Sequence, residues 1–234
     1  MQTHFEKDLA GLKEKLLTMA SYAEAAVKNA IEAYLNRDYD LAQRVRDDDA
    51  VIDRFEIEVD EMAIQLLAKA PLASDLRLIA AAMKISQNLE RVGDEAAKIS
   101  NRARDLSQEP PLKVGADIPK MANLALAMLK GALDAFVNHD PAAARAIIPQ
   151  DKDVDALNKS IHSELAKQMI ESPEAITRCL NLMVIAKRLE RIADHATNVA
   201  EEVVYLCEAQ DIRHTGALAS IPGAAGQSSS SVPT

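Results

Sequence analysis

Residues 83–100 read MKISQNLERVGDEAAKIS, and residues 183–200 read MVIAKRLERIADHATNVA. At an offset of 100 residues they share Met83/Met183, Ile85/Ile185, Leu89/Leu189, Glu90/Glu190, Arg91/Arg191, Asp94/Asp194 and Ala96/Ala196. A second window, 26–49 against 128–151, matches at an offset of 102. It keeps Lys28/Lys130, Ala30/Ala132, Ala33/Ala135, Asn36/Asn138, Asp38/Asp140, Ala42/Ala144 and Asp49/Asp151. Two halves of this length, each carrying the same acidic motif, are the mark of a tandem duplication. Whatever one copy of the motif does, the fold is expected to do twice.

Outward from these stretches, apolar residues recur at helical spacing. A first helix presents Phe5, Leu9, Leu12, Leu16, Met19, Ala23, Ala26 and Ala30 on one side and ends near Arg37. A second, from about Tyr39 to Lys69, carries Val45, Ile52, Phe55, Val59, Met62 and Leu66, and Pro71 stops it. Ser74-Asp75 reads as the entrance of a third, which shows Leu78, Ala82, Ile85, Leu89, Val92, Ala96 and Ile99. Helices four to six repeat the plan. Asp140-Pro141 opens the fifth, and Ser172-Pro173-Glu174 opens the sixth, which runs to about Ala209.

The fold class that follows is all-α: a tandem repeat of two three-helix bundles with six long helices and no strands. The first bundle is expected over 1–107 and the second over 118–214. The Pro- and Gly-bearing segment 108–117 is the joint between them. The Ala/Gly/Ser/Pro-rich tail, 215–234, is expected to be disordered.

Composition narrows the function. Seven glycines, no tryptophan and 3% aromatic residues suit helices. A net charge of −9 argues against nucleic acid and against an anionic membrane surface. No apolar run reaches the ~18 residues that span a bilayer, and the N-terminus does not read as a signal peptide. Cys179 and Cys207 both fall in helical patterns, so reduced thiols and a cytoplasmic location are expected.

The chemistry lies in rows of carboxylates. Glu90 and Asp94 stand one turn apart on one face, and Glu190 and Asp194 do the same. Like charges at this spacing cost a helix about 0.2–0.5 kcal/mol per pair, so a repeated pair calls for a partner. Up the sixth helix the row reads Glu190, Asp194, Asn198, Glu201. The second helix offers Asp49, Asp53, Glu56 and Asp60, and the fifth offers Asp151, Asp155, Asn158 and His162. If neighbouring helices pack side by side, each half gathers oxygen ligands for hard cations: magnesium, manganese, calcium or iron. An imidazole also admits zinc, and several carboxylates can bridge a cluster of ions. The alternative is a solvated acidic face answered by Arg91, Arg188, Arg191 and Lys98. Lys98 stands where the second half has Asn198 and can itself take an ion's place. His195 is either a ligand or an ion-pair partner of the neighbouring acids.

Phosphate loops, dinucleotide fingerprints, Cys-x-x-Cys pairs and the Glu-x-x-His of di-iron bundles are all missing from the sequence. The residues therefore read as a helical, non-catalytic protein that binds metal or serves as a scaffold. A helical metal-carboxylate enzyme is the other class to test.

The run Pro71-Leu-Ala-Ser-Asp75-Leu-Arg77-Leu-Ile, followed by Leu89-Glu90-Arg91-Val-Gly-Asp94, resembles the first-repeat signature of the PhoU family. Leu189-Glu190-Arg191-Ile-Ala-Asp194-His195-Ala-Thr-Asn198-Val-Ala-Glu201 is similar to its second, with Ala193 where a glycine is common. The opening His4-Phe5 and the ending Asp211-Ile-Arg213-His214 fit as well. The resemblance implies a cytoplasmic regulator of phosphate homeostasis that restrains the phosphate-starvation response. Its partners would be the ATPase subunit of the phosphate-specific ABC transporter, a membrane sensor histidine kinase and, on apolar edges, a second copy of the chain. It also implies metal ions (iron, zinc, manganese or magnesium), multinuclear in some members, on Glu/Asp-x-x-x-Asp motifs. These fall on Glu90/Asp94 and Glu190/Asp194, with Asp49/Asp53 and Asp151/Asp155 as related pairs.

Overall fold

A computed structural model describes residues 4–70, 72–112 and 117–213. Pro71, Gly115, His214 and the tail expected over 215–234 lie outside the described residues. Within them the chain forms helices α1 (His4–Asn36), α2 (Tyr39–Leu67), α3 (Ala73–Ser107), α4 (Ile118–Asn138), α5 (Pro141–Ile147), α6 (Asp151–Glu171) and α7 (Ile176–Glu208), and no strand.

The six-rod plan stands, with one break. The fifth rod is split into α5 and α6 by a 3-10 turn at Ile148–Gln150. Pro149 causes it: proline has no N–H to continue the ladder, and its ring collides with the carbonyl four residues back. The first half has Asp47 at this place and α2 runs through unbroken.

The turn that opens each second rod is written twice. Arg37 (φ 56°) and His139 (φ 50°), 102 positions apart, both take the left-handed conformation that ends a helix. The next residue caps the following helix: Asp38 accepts from Leu41 N at 2.9 Å, and Asp140 from Ala142 N and Ala143 N at 3.0 and 2.9 Å. Two expected caps differ. Neither Leu72, which precedes α3, nor Ser172 makes a side-chain cap bond, and a 3-10 turn at Pro173–Ala175 leads into α7.

One apolar core runs through both halves, with Leu16, Met19, Ile85, Leu89, Met128, Leu129 and Leu189 fully buried. Helices α3 and α7 form its centre and run antiparallel. Lys84 meets Glu202, Asn88 meets Asn198, and Glu95 meets Arg191. Since α7 repeats α3, this antiparallel register places a local twofold axis beside Gly93 and Ala193. The two bundles are thus joined along their longest helices.

Candidate cation-binding rows and the groove between the halves

In the first half, α2 lies close against α3 because Gly93 has no side chain. A Cβ there would stand 2.7 Å from Ile52 Cδ1 and 3.2 Å from Asp49 Oδ1. This approach brings Asp49, Asp53 and Glu56 of α2 to Glu90 and Asp94 of α3. Burial, then Asp53 and Asp94, push Asp49 up to about 6, against the opposing pull of Lys98. Burial also raises Glu90, with Asp94, Glu56 and Asp53 adding to it. Lys98 answers this charge: its Nζ donates to Asp94 Oδ2 at 3.0 Å and to Glu95 Oε1 at 3.1 Å. Burial alone would lower the lysine, but these bonds outweigh it and raise it.

The second half gathers Asp151 and Asp155 of α6 with Glu190 and Asp194 of α7. Burial, then Asp151 and Glu190, push Asp194 up to about 6. Burial, Asp155 and Glu190 raise Asp151. Asn158 Nδ2 donates to Glu190 Oε2 at 2.9 Å, and Lys187 pairs with the same glutamate. Asp151 Oδ1 and Asn158 Oδ1 are buried without a hydrogen-bond partner.

The upper end of the α7 row does not join this cluster. Asn198 turns across the axis and donates to Asn88 Oδ1 at 3.2 Å, and Glu201 faces Arg213. His162 sits on the Met183 carbonyl at 3.3 Å. His195 is neither an ion-pair partner nor a neighbour of the α6 acids. Its Nδ1 meets Asn88 Oδ1 at 3.1 Å, and burial with the Arg91 charge holds it down to about 4, so it is neutral at pH 7.

Between α3 and α7 runs an open groove of about 550 Å³, whose walls include Asp94 and Asp194 and the axis-related Arg91 and Arg191. At its base is the residue that sequence reasoning missed. Glu95 is 4% exposed and is held by Lys98, by Arg188 at 3.2 Å and by Arg191 at 3.4 Å. Three of the four cations that seemed to answer a solvated acidic face, Lys98, Arg188 and Arg191, converge on this one buried carboxylate. The only signal for it was its place opposite His195 in the repeat.

The donors that face one another are oxygens, which suits hard cations. Charge crowding and the two orphaned oxygens in the second half fit such an ion. Among the described residues, however, no three His, Cys, Asp or Glu side chains are already arranged to share one. Nor is any helix among them long and apolar enough to cross a membrane.

The same two halves emerge from comparison with known proteins. The PhoU domain model matches twice, at residues 16–103 and 118–203. A phosphate-specific transport system accessory protein PhoU homolog of Pseudomonas aeruginosa is 39% identical over 91% of this chain and 88% of its own. One from Rhizobium meliloti is 38% identical over 86% of each. The crystal structure of PhoU from Pseudomonas aeruginosa superposes with a TM-score of 0.85 at 38% identity, covering 88% of this chain and 100% of that one. The phosphate transport system regulatory protein PhoU from Streptococcus pneumoniae gives 0.83 at 27% identity, covering 89% and 99%. Twin helical halves, paired acidic rows and these matches lead to one conclusion: the chain belongs to the PhoU family.

Proposed function

We propose that this chain is a non-catalytic, cytoplasmic accessory regulator of a phosphate-specific transport system, and that it restrains the phosphate-starvation response while phosphate is ample. The observation that carries this is the double PhoU-domain match over nearly all of the helical chain, with relatives named as accessory proteins of that system. In this reading it links the transporter's ATPase subunit to a sensor histidine kinase. With four acids in each half, its faces suit basic patches on those partners, which electrostatic complementarity would select. The apolar residues left exposed near the rod ends, Ile64, Leu72, Ile170 and Leu180, suit a second copy.

Deleting the gene tests the regulatory role. Phosphate-starvation genes are expected to switch on in phosphate-rich medium, and a response that stays silent or becomes locked off overturns it.

The acidic rows Asp49/Asp53 with Glu90/Asp94, and Asp151/Asp155 with Glu190/Asp194, would hold hard metal ions such as iron, manganese or magnesium. Bound there, an ion would relieve carboxylate repulsion and tie neighbouring helices together. A scaffold without metal is the second reading, and one observation favours it: no three of these acids are already drawn around one point. Elemental analysis after chelator-free purification separates the two. Stoichiometric metal that is lost in Glu190→Ala/Asp194→Ala supports the site, and its absence from several growth conditions leaves the scaffold.

A further inference from the structure

The repeat that puts acids in both halves also keeps a basic position, Lys28 of α1 and Lys130 of α4, at the offset of 102. Helix α1 packs on α3, α4 packs on α7, and α1 meets α4, so these four rods form a ring around the shared core. The local axis that passes between α3 and α7 therefore leaves the ring between α1 and α4, on the opposite side. There the two rods run antiparallel: Lys13 reaches His139, and Glu24, farther along α1, faces Lys130, farther back along α4. Between them lies a second groove, of about 510 Å³. Ala25 and its duplicate Ala127 are exposed in its middle, with half-buried Leu126 beside them. Lys28 and Lys130 each stand three residues beyond an alanine, so on antiparallel rods they are about 9 Å apart along the groove.

The two ends differ. Burial raises the Glu24 carboxyl, Lys130 pulls it back down and Asp134 adds to the rise, so Glu24 answers Lys130. The duplicate of Glu24 is Leu126, so Lys28 has an apolar neighbour in that place and makes no ion pair among the described residues. On a chain of net charge −9, an unanswered lysine beside exposed apolar surface selects an acidic partner.

We propose that this groove docks an amphipathic helix of a partner protein, with small apolar residues against Ala25, Ala127 and Leu126 and carboxylates seven residues apart on Lys28 and Lys130. Seven residues rise about 10 Å, which matches the spacing of the lysines. The alanines let a third rod come as near as packed helices do, and an apolar helix face laid in a groove is a recurring mode of recognition. Of the two lysines Lys28 carries more of the attraction, while Glu24 opposes the second carboxylate. This surface is separate from the acidic rows and rests on neither the metal nor the regulatory reading.

A fluorescein-labelled helical peptide with glutamates at i and i+7, and leucine and alanine at i+3 and i+4, tests it by fluorescence anisotropy with the full chain. Saturable one-to-one binding is expected. Lys28→Glu should weaken it at least tenfold, and Ala127→Trp, which fills the groove, should abolish it. Glu24→Gln should tighten it severalfold, because it removes the charge that repels the peptide. The same peptide with lysines for glutamates should not bind. A circular-dichroism melt checks that each variant folds, and if Ala127→Trp does not, the opposed effects of Lys28→Glu and Glu24→Gln decide. No binding, equal binding of the lysine peptide, or indifference to Lys28→Glu and Glu24→Gln overturns the inference. So does a dimer that Ala127→Trp splits in analytical ultracentrifugation, which gives the groove to a second copy. Each of these results leaves the gene-deletion test of the regulatory role as it was.

Discussion

Asp49 and Asp194 share a property that the duplication predicts: each carboxyl is pushed up to about 6 by burial and by facing acids. A raised carboxylate pKa means that the folded chain binds a proton more readily than the unfolded one. Below pH ~3 both states are protonated and nothing is lost. As pH rises through 4 to 6, the unfolded chain ionises freely while the folded chain resists, so stability falls and the full penalty is present at pH 7. In metal-free protein, Asp194→Asn should therefore stabilise by on the order of 1 kcal/mol after solvent screening, or about 2–4 °C in Tm. The gain should shrink at pH 4 and vanish near pH 3, and thermal melts at pH 7 and pH 3 check it; an equal gain at pH 3 would count against the repulsion. At Gly93 the sign reverses. An added methyl gains about 1 kcal/mol of helix propensity but drives into buried Ile52, an overpacking cost of about 1–3 kcal/mol. Gly93→Ala should be net destabilising in chemical denaturation, although Ala193 is accommodated at the duplicate position. The acidic pairs were legible from spacing alone, because four residues make one helical turn. The role of Glu95 was not, since its partners Arg188 and Arg191 come from a helix about 95 residues away, and no local pattern records which rods touch.

Helix ends show where local chemistry suffices. Asp140 and Pro141 form a complete start signal, and the structure uses both: the carboxylate holds two amides and proline occupies the first turn. Ser172-Pro173 carries the same signal, yet the chain enters a 3-10 turn and the hydroxyl makes no cap bond. Asp140→Ala should accordingly cost about 1 kcal/mol, within the range for lost caps, and Ser172→Ala close to nothing. Urea unfolding of the two variants distinguishes these outcomes, and equal losses would mean that Ser172 caps in solution. The break at Pro149 was readable from one residue, but it hides behind apolar spacing that runs on through Ile147, Val154 and Ile161. It makes Asp151 the first residue of α6, so the duplicate of mid-helix Asp49 sits at a helix N-terminus, where backbone amides favour negative charge.

For the whole molecule, the local axis between α3 and α7 makes every inter-half contact appear twice, and the two versions have diverged. On one side Glu95 meets Arg188 and Arg191. On the other the duplicate positions carry His195 and Asn88, a neutral pair joined at 3.1 Å. The bond across the halves is therefore ionic at both ends but unequal: one buried carboxylate gathers three cations on the first side, while on the second the Lys84–Glu202 pair stands beside neutral groups. Removing Glu95 leaves three cations crowded at the groove base, whereas removing Asn88 leaves two amphoteric groups that water can serve. Truncating one partner of a buried ion pair costs about 3–5 kcal/mol, and the exposed edges of Lys98 and Arg191 put Glu95→Ala near the lower figure. Asn88→Ala should cost about 1 kcal/mol, the worth of ordinary hydrogen bonds. The difference should also change the course of unfolding. The two bundles share one core, and α3 with α7 is its seam, so weakening the Glu95 cluster should let one half open before the other. Fluorescent labels in each half, followed through a urea titration, should coincide in the unaltered chain and in Asn88→Ala but separate in Glu95→Ala. Coincident transitions with equal losses in both variants would show that apolar packing along α3 and α7, and not the Glu95 cluster, joins the halves.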